Sequence, residues 1–233
     1  SLDMLSKQLQ ALFDPLITVE LIESATTVWT EGWKESFRPI LAGDFYVYPP
    51  WDKSLPPVNT KKIEIEPGMA FGTGQHATTQ LCLLMIQNIL DKTPSRTLEN
   101  QNILDVGCGT GILAIATALS GAKSVTATDI DIDSISATEQ NAERNHCIIN
   151  VQQTSVPAHQ EFDLVIANII RPVLAELMPD LASATAPGGN CILSGLLCED
   201  KEEMVSAAAA HGLAFYDEQQ DKGWIGLLLE KKS

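Results

Sequence analysis

Positive charge is scarce in this chain. Lysine and arginine total 15 against 30 aspartates and glutamates, which gives a net charge of −15 over 233 residues. A chain without a basic stripe has a field of the wrong sign for gripping phosphates, so direct nucleic-acid binding is not expected. Long apolar runs are also missing: none approaches the ~18 residues of a membrane span. Ser1-Leu2-Asp3-Met4 has neither the basic nor the apolar region of a secretory signal. The five cysteines (Cys82, Cys108, Cys147, Cys191 and Cys198) are odd in number and include no Cys-x-x-Cys pair. That argues against a disulfide framework and against a zinc knuckle. His76, His146, His159 and His211 include no His-x-x-x-His pair, so no metal site is expected. There is no internal repeat and no low-complexity segment. These absences describe a cytoplasmic, metal-free, membrane-free protein whose acid excess favours a basic partner. They leave the oligomeric state open.

The composition is that of a folded protein, 45% hydrophobic and 19% charged. The chain divides near residue 60. Asp3 to Phe13 carries apolar residues at helical spacing, and Leu16 to Ala25 alternates like a strand. An aromatic stretch follows, from Trp29 through Trp33, Phe37, Phe45, Tyr46 and Tyr48 to Trp51, closing on Pro49-Pro50 and Pro56-Pro57. These prolines argue against a regular central strand and read as an extended linker. The expected organisation is therefore a short partial α/β segment over 1–28, a linker over 29–60 and a main domain over 61–233.

The main domain alternates strands and helices. Helices are predicted over 80–90, 112–119, 133–144, 171–184 and 199–211. Strands are predicted over 102–106, 124–128, 150–153, 162–167, 190–194, 213–216 and 224–229, with a turn at Pro187-Gly188-Gly189. Such a pattern predicts an α/β fold with a doubly wound, mostly parallel sheet, whose ligand lies beyond the carboxyl ends of its strands. The loops after 102–106, 124–128 and 162–167 are the ones to search.

The first of these loops is Asp105-Val-Gly107-Cys-Gly109-Thr-Gly111. Its glycines allow a tight turn and close approach of a ligand to the main chain. Gly109-x-Gly111-x-x-Ala114 also satisfies a loose dinucleotide fingerprint, so the glycines alone leave two cofactor classes open. Asp105 favours one of them: a carboxylate at the strand end repels a pyrophosphate and suits a cationic ligand such as S-adenosylmethionine. Asp129, ending the next strand, can accept both hydroxyls of a ribose, and Asp131 and Asp133 are better placed to cap the following helix. Asn168 ends the third strand, where its side-chain oxygen can orient an attacking amine without adding charge; a turn-forming role is the rival reading. The segment Glu66 to Thr79, dense in Gly and Thr, reads as a cofactor flap containing Phe71 and His76. Thr78 and Thr79 can both cap the helix behind it and face a ligand.

Several of these residues carry a family resemblance. Pro67-Gly-Met-Ala-Phe-Gly-Thr-Gly-Gln-His-Ala-Thr-Thr79, Leu104-Asp-Val-Gly-Cys-Gly-Thr-Gly-Ile-Leu-Ala-Ile-Ala116, Thr128-Asp-Ile-Asp131 and Ala167-Asn-Ile169 resemble the methyltransferases of large-subunit ribosomal protein eleven. Asn141-Ala-Glu-Arg-Asn145, Pro187-Gly-Gly189, Trp33 to Trp51 and Gly223-Trp224 resemble them too. The glycine turn marks only class I S-adenosylmethionine methyltransferases, whereas Gly-Thr-Gly-x-His-x-Thr-Thr is far more specific. The resemblance implies a Rossmann-like class I fold. It implies cofactor contacts at Thr79, Gly107, Asp129 and Asn168, to which the reading of the residues adds Asp105, Gly109 and Phe71. It further implies methyl transfer to lysine and N-terminal amines of that basic ribosomal protein. Asn168 then holds the amine, and His76 either helps remove a proton or serves the structure. A small ferredoxin-like recognition domain is implied as well, of which residues 1–28 leave room only for a remnant. A transferase acting on another protein or on a small amine, a nicotinamide-dependent oxidoreductase and a non-catalytic cofactor-binding module are the alternative readings.

Overall fold

The computed structural model describes residues 37–67, 72–93 and 97–232. The chain divides into two units, 1–37 and 38–233, and the described residues other than Phe37 belong to the second. The predicted helix over 3–13, the predicted strand over 16–25, the expected remnant over 1–28, Trp29 and Trp33 lie outside the described residues.

Seven strands form the main sheet. In chain order these are β4 (Asn102–Val106), β5 (Ser124–Asp129), β6 (Asn150–Gln153), β7 (Phe162–Asn168), β8 (Thr185–Leu197), β9 (Leu213–Asp221) and β10 (Trp224–Lys231). Their spatial order is β6-β5-β4-β7-β8-β10-β9. All neighbours are parallel except β10, which runs antiparallel to both β8 and β9. The helices are α1 (Ala77–Lys92), α2 (Ile112–Leu119), α3 (Ile132–Arg144), α4 (Arg171–Ala184) and α5 (Lys201–Ala210). Strand alternation sorts the apolar side chains between the two faces. Ile103, Leu164, Ile166, Ile192 and Leu228 pack with α1 and α2, while Leu104, Val165, Cys191, Leu193 and Leu227 pack with α4 and α5. This is the Rossmann-like, mostly parallel fold read from the sequence. Among the described residues no helix is long and apolar enough to cross a membrane.

Two segments differ from their sequence reading. Within the stretch read as a linker, β1 (Ile40–Ala42) and β2 (Phe45–Tyr48) form a hairpin, and β3 (Lys61–Glu64) pairs parallel to β2. Pro49 and Pro50 follow the last paired residue, so they stop the strand without breaking its ladder. Ala42, Phe45, Val47 and Ile63 are buried in the core, which explains why aromatic and proline residues crowd this segment. The second case is Pro187-Gly188-Gly189. Phe162 pairs with Thr185 and Leu164 with Asn190, so the predicted turn exists as a bulge inside one long strand, β8. A side chain at Gly189 would meet the carbonyl of Ala186 at 2.9 Å, which leaves room only for glycine.

One buried asparagine ties the small sheet to the large one. Asn141, on α3, accepts from the Glu66 amide (3.0 Å) and donates to the Thr110 carbonyl (2.9 Å). One turn further on, Asn145 exchanges hydrogen bonds with the Glu64 amide and carbonyl (2.8 and 2.7 Å). Arg144 adds ion pairs to Glu64 and Glu66. Replacing Asn141 by alanine leaves the buried Thr110 carbonyl and the partly buried Glu66 amide unpaired. The expected loss is roughly 2–4 kcal/mol of stability, measured by urea unfolding; a change below ~0.5 kcal/mol would overturn this assignment.

Candidate active site at the carboxyl edge of the sheet

The site begins with a turn that has to reverse the chain in a few residues. After β4, Gly107, Gly109 and Gly111 adopt φ values of +68°, +54° and +79°, a region in which side chains are strained. A Cβ on Gly111 would lie 2.8 Å from Thr138 on α3. The amides of this turn are committed to protein partners. Gly107 and Cys108 both donate to the Thr128 carbonyl (2.8 and 3.0 Å), and Gly111 donates to the Cys108 carbonyl (2.8 Å). Gly109 donates to Asp129 Oδ2 (3.1 Å), and Ala114 to Asp105 Oδ2 (3.0 Å). A phosphate cradle keeps such amides available to the anion. Here the backbone permits close approach while offering those five donors to no ligand.

The two aspartates next to this turn have different surroundings. Asp129 ends β5 on the cavity wall, half exposed, and its Oδ1 accepts from the Asp131 amide (3.0 Å). Asp131 in turn caps α3 by accepting from the Asp133 amide (3.0 Å), which frees Asp129 from that task. Each Asp129 oxygen keeps lone-pair capacity for a further donor. Asp105, expected from the sequence as a contact to a cationic ligand, instead points into the protein. It is 1% exposed, is not part of the cavity wall and is spent on the first turn of α2. Burial pushes its carboxyl up to about 7, the Ala114 amide opposes the shift, and the charge of Asp129 adds to it.

Asn168 closes β7 and lines the cavity at 9% exposure. Its Nδ2 donates to Thr79 Oγ1 at 3.3 Å, and among the described residues its Oδ1 has no hydrogen-bond partner. Thr79 is fully buried behind Asn168 and is absent from the cavity wall, so it orients the asparagine. The start of α1 is pinned nearby, where Ser194 on β8 donates to the Thr78 carbonyl (3.2 Å). His76, rather than Thr78 or Thr79, caps α1. Its Nδ1 accepts from the Thr78 amide (3.4 Å) and lies 2.8 Å from Thr78 Oγ1. An accepting Nδ1 carries no proton, so the neutral ring carries it on Nε2. In this geometry His76 serves as a cap and a wall. Phe71 lies outside the described residues. Thr110 Oγ1 fastens the segment that follows it by donating to the Gly72 carbonyl (2.5 Å).

These groups border one cavity of about 700 Å³ across the carboxyl edge of the sheet. Gly107, Gly109, Asp129, Asn168 and His76 all line it. Other walls were not read as site residues in the sequence: Thr154 and Ser155 after β6, Val173, Glu176 and Leu177 on α4, Gly195 in β8, and Trp224 at the start of β10, which entered only as part of the family resemblance. The carboxyl-end rule finds Thr154 and Ser155 once β6 is included in the search. Trp224 escapes that rule, because an antiparallel strand brings its amino end to this edge. Among the described walls only Asp129 and Glu176 carry formal charge with histidine neutral. The buried thiols Cys82, Cys108 and Cys191 are pushed up to about 12 by desolvation, which makes them poor nucleophiles. Among the described residues no group of acidic, histidine and cysteine side chains could hold a metal ion.

Comparison with known proteins places this geometry. The profile of the family described as ribosomal protein L11 methyltransferase (PrmA) matches residues 2–232. A ribosomal protein L11 methyltransferase of Symbiobacterium thermophilum is 38% identical over 206 residues, covering 87% of this chain and 66% of that protein. That of Geotalea uraniireducens is 36% identical over 217 residues, covering 88% and 68%. The chain thus spans about two thirds of the length of these curated relatives. The crystal structure of a ribosomal protein L11 methylase from Lactobacillus delbrueckii subsp. bulgaricus aligns with a TM-score of 0.76 at 34% identity, covering 84% of this chain and all of that one. The T. thermophilus 16S rRNA N2 G1207 methyltransferase, solved in complex with AdoMet and guanosine, shares the fold. It aligns with a TM-score of 0.59 at 21% identity, over 70% of this chain and 45% of that one.

The raised Asp105 carboxyl has a consequence for stability. A carboxyl that binds its proton more tightly when folded stabilises fully below its unfolded pKa near 3.8, and this contribution is lost as pH rises through about 7. Asp105→Asn removes that titration while keeping an oxygen for the Ala114 amide. Relative to this variant, the parent protein should lose on the order of 4 kcal/mol of unfolding free energy between about pH 4 and pH 8. Urea titrations across that range measure it, and parallel pH profiles would overturn the assignment.

Proposed function

The chain belongs to the ribosomal protein L11 methyltransferase family, and on that footing we propose that it uses S-adenosylmethionine to methylate lysine and N-terminal amines of ribosomal protein L11. The observation that carries this reading is the commitment of the glycine-turn amides beside a free-sided Asp129 carboxylate. A pyrophosphate needs donors where those amides are already used, which counts against a nicotinamide dinucleotide. A nucleoside with a cationic tail needs a diol acceptor and a close-packed neutral turn, and Asp129, Gly107 and Gly109 fit that demand. The unpaired Oδ1 of Asn168 supports an amine as the second ligand, because a buried acceptor without a donor is costly until a ligand supplies one.

When bound, S-adenosylmethionine supplies a methyl carbon activated by the positive sulfur: as the amine nitrogen bonds to this carbon, the carbon–sulfur bond breaks, its electron pair neutralises the sulfur, and the methylated ammonium passes its extra proton to water. The protein's part is alignment and exclusion of water. Asp129 holds the ribose hydroxyls, and the glycine turn lets the methionyl end lie against the main chain. Asn168 accepts an N–H of the amine at Oδ1, with Thr79 fixing the amide so that the oxygen is presented. Ile169, Ile170, Val173 and Leu177 give the cavity an apolar lining. Such a lining lowers the pKa of a lysine amine from its reference of ~10.4 and favours the neutral nucleophile. The net charge of −15 adds long-range attraction for a basic substrate.

Incubation of isolated ribosomal protein L11 with the chain and S-adenosylmethionine, followed by mass spectrometry, tests the reading. Methyl additions confined to amines are expected; transfer only to small amines, or none at all, would overturn the substrate. Asn168→Ala should lower turnover roughly 100-fold and shift cofactor affinity less than about threefold, because its role falls on the acceptor. Unchanged turnover in that variant would sink the role given to Asn168.

A further inference from the structure

We propose that Ser194 is a positioning residue for methyl transfer. Its hydroxyl holds the start of α1 so that Thr79 keeps the Asn168 oxygen turned toward the acceptor; this rests on the reading of Asn168 as the group that holds the amine. Ser194 is fully buried on β8 and is absent from the cavity wall, so it acts on a ligand only through its neighbours. Its place follows from a bulge. Against β10, Leu193 pairs with Leu227 and Leu196 with Ile225, which leaves Ser194 and Gly195 facing the single residue Gly226. Gly195 takes the strained backbone of this bulge, with φ +86°. The Ser194 hydroxyl then lies 3.2 Å from the Thr78 carbonyl on α1 and 3.5 Å from the Ile225 carbonyl on β10. A hydroxyl has one proton to give, and the nearer carbonyl takes it. The helix comes this close because β10 carries glycine beneath it: a Cβ on Gly226 would lie 3.0 Å from Met85 Sδ and 3.5 Å from Leu81 Cβ, both on α1.

Ser194 is tied to Asn168 from the other side as well. The two are cross-strand partners, and the Ile169 amide donates to the Ser194 carbonyl (3.1 Å). Followed from Asn168, the bonds close a ring. Asn168 Nδ2 donates to Thr79 Oγ1, Thr79 is joined by its peptide bond to Thr78, the Thr78 carbonyl accepts from Ser194, and Ser194 leads back through Ile169 to Asn168. The link that matters to the reaction is the most fragile of the three hydrogen bonds. At 3.3 Å the Asn168–Thr79 bond already exceeds the usual ~3.2 Å of an N–H···O bond, so a small drift of the helix start breaks it. An asparagine freed from Thr79 can turn its amide over and offer the amine donors in place of an acceptor. The His76 cap keeps the start of α1 helical without help from Ser194. What Ser194 adds is where that start lies against the sheet, and hence which way Asn168 faces.

Solution NMR and methyl-transfer kinetics test this role. The side-chain amide signals of Asn168 are identified by their absence in Asn168→Ala. In Ser194→Ala they should shift and exchange with solvent about tenfold faster, whereas Ser194→Thr, which keeps the hydroxyl, should stay within about twofold of the parent chain. With ribosomal protein L11 as acceptor, Ser194→Ala should lower kcat about tenfold and leave KM within about twofold. Its affinity for S-adenosylhomocysteine should also stay within about twofold, which shows that the variant is folded. In the Asn168→Ala background the same substitution should lower kcat by less than about twofold, because its route to the reaction is already gone. Unshifted Asn168 signals in Ser194→Ala, an equal loss of kcat in both backgrounds, or a loss of S-adenosylhomocysteine affinity as large as that of kcat would each overturn the positioning role. Shifted Asn168 signals without methylation of ribosomal protein L11 by the parent chain would support the Ser194 link and overturn only the substrate named above. Undiminished turnover in Asn168→Ala would overturn both.

Discussion

The site depends on how the chain leaves β4. Its backbone has to reverse at the carboxyl edge and enter α2 while every buried amide finds a partner. The solution uses the neighbouring strand: the Thr128 carbonyl takes two amides of the turn, and Asp129 takes a third. The position of Asp129 is therefore set by the same bonds that shape the turn. Thr138 packs under Gly111 and donates to the Gly109 carbonyl (3.0 Å), so α3 supports the turn from below. Asn141, one turn along α3, carries that support to β3 and to the segment leading into the cavity. Cavity-facing and structural bonds form one network, and that network spends the donors of the turn on the protein itself.

Much of this was legible from residue pattern. The strands at 102–106 and 162–167 and the helices at 112–119 and 171–184 are apolar in a period that leaves little choice. The separation of tasks between Asp131 and Asp129 followed from capping logic and is what the hydrogen bonds display. Other features were hidden for identifiable reasons. Asp105 sits at a strand end, where sequence does not tell which side a carboxylate turns to; it turns inward to Ala114, so paired amides rather than its charge disfavour a pyrophosphate. Histidine is not a common helix cap, so the role of His76 at α1 was open. Prolines after Tyr48 mark where a strand stops, and they masked the hairpin before them. Trp224 lies near in space because β10 is inserted in reverse, a fact of topology that no local window contains.

Charge acts on two scales here. Over the whole chain acids outnumber bases two to one, which acts on encounter rates across about a Debye length of salt solution. Inside the cavity the described walls offer one carboxylate at the end of β5 and one on α4, with apolar or neutral groups elsewhere. An acidic outer field attracts cations, and a mostly apolar cavity favours the neutral form of an amine. These demands are compatible because they are separated by distance and by dielectric.

The position of β10 also sets when the protein becomes able to work. It follows every other strand of the sheet in sequence, yet it lies between β8 and β9 in space. The glycine turn, Asp129 and Asn168 are all synthesised before residue 170, but Trp224 joins them only when this last strand has slipped into its gap. On a ribosome that releases the chain from its amino end, the half of the pocket built on β4, β5 and β7 can be assembled while the far wall is still missing. Completion of the pocket is thus tied to completion of the sheet, and a nascent chain halted short of β10 would hold half a site.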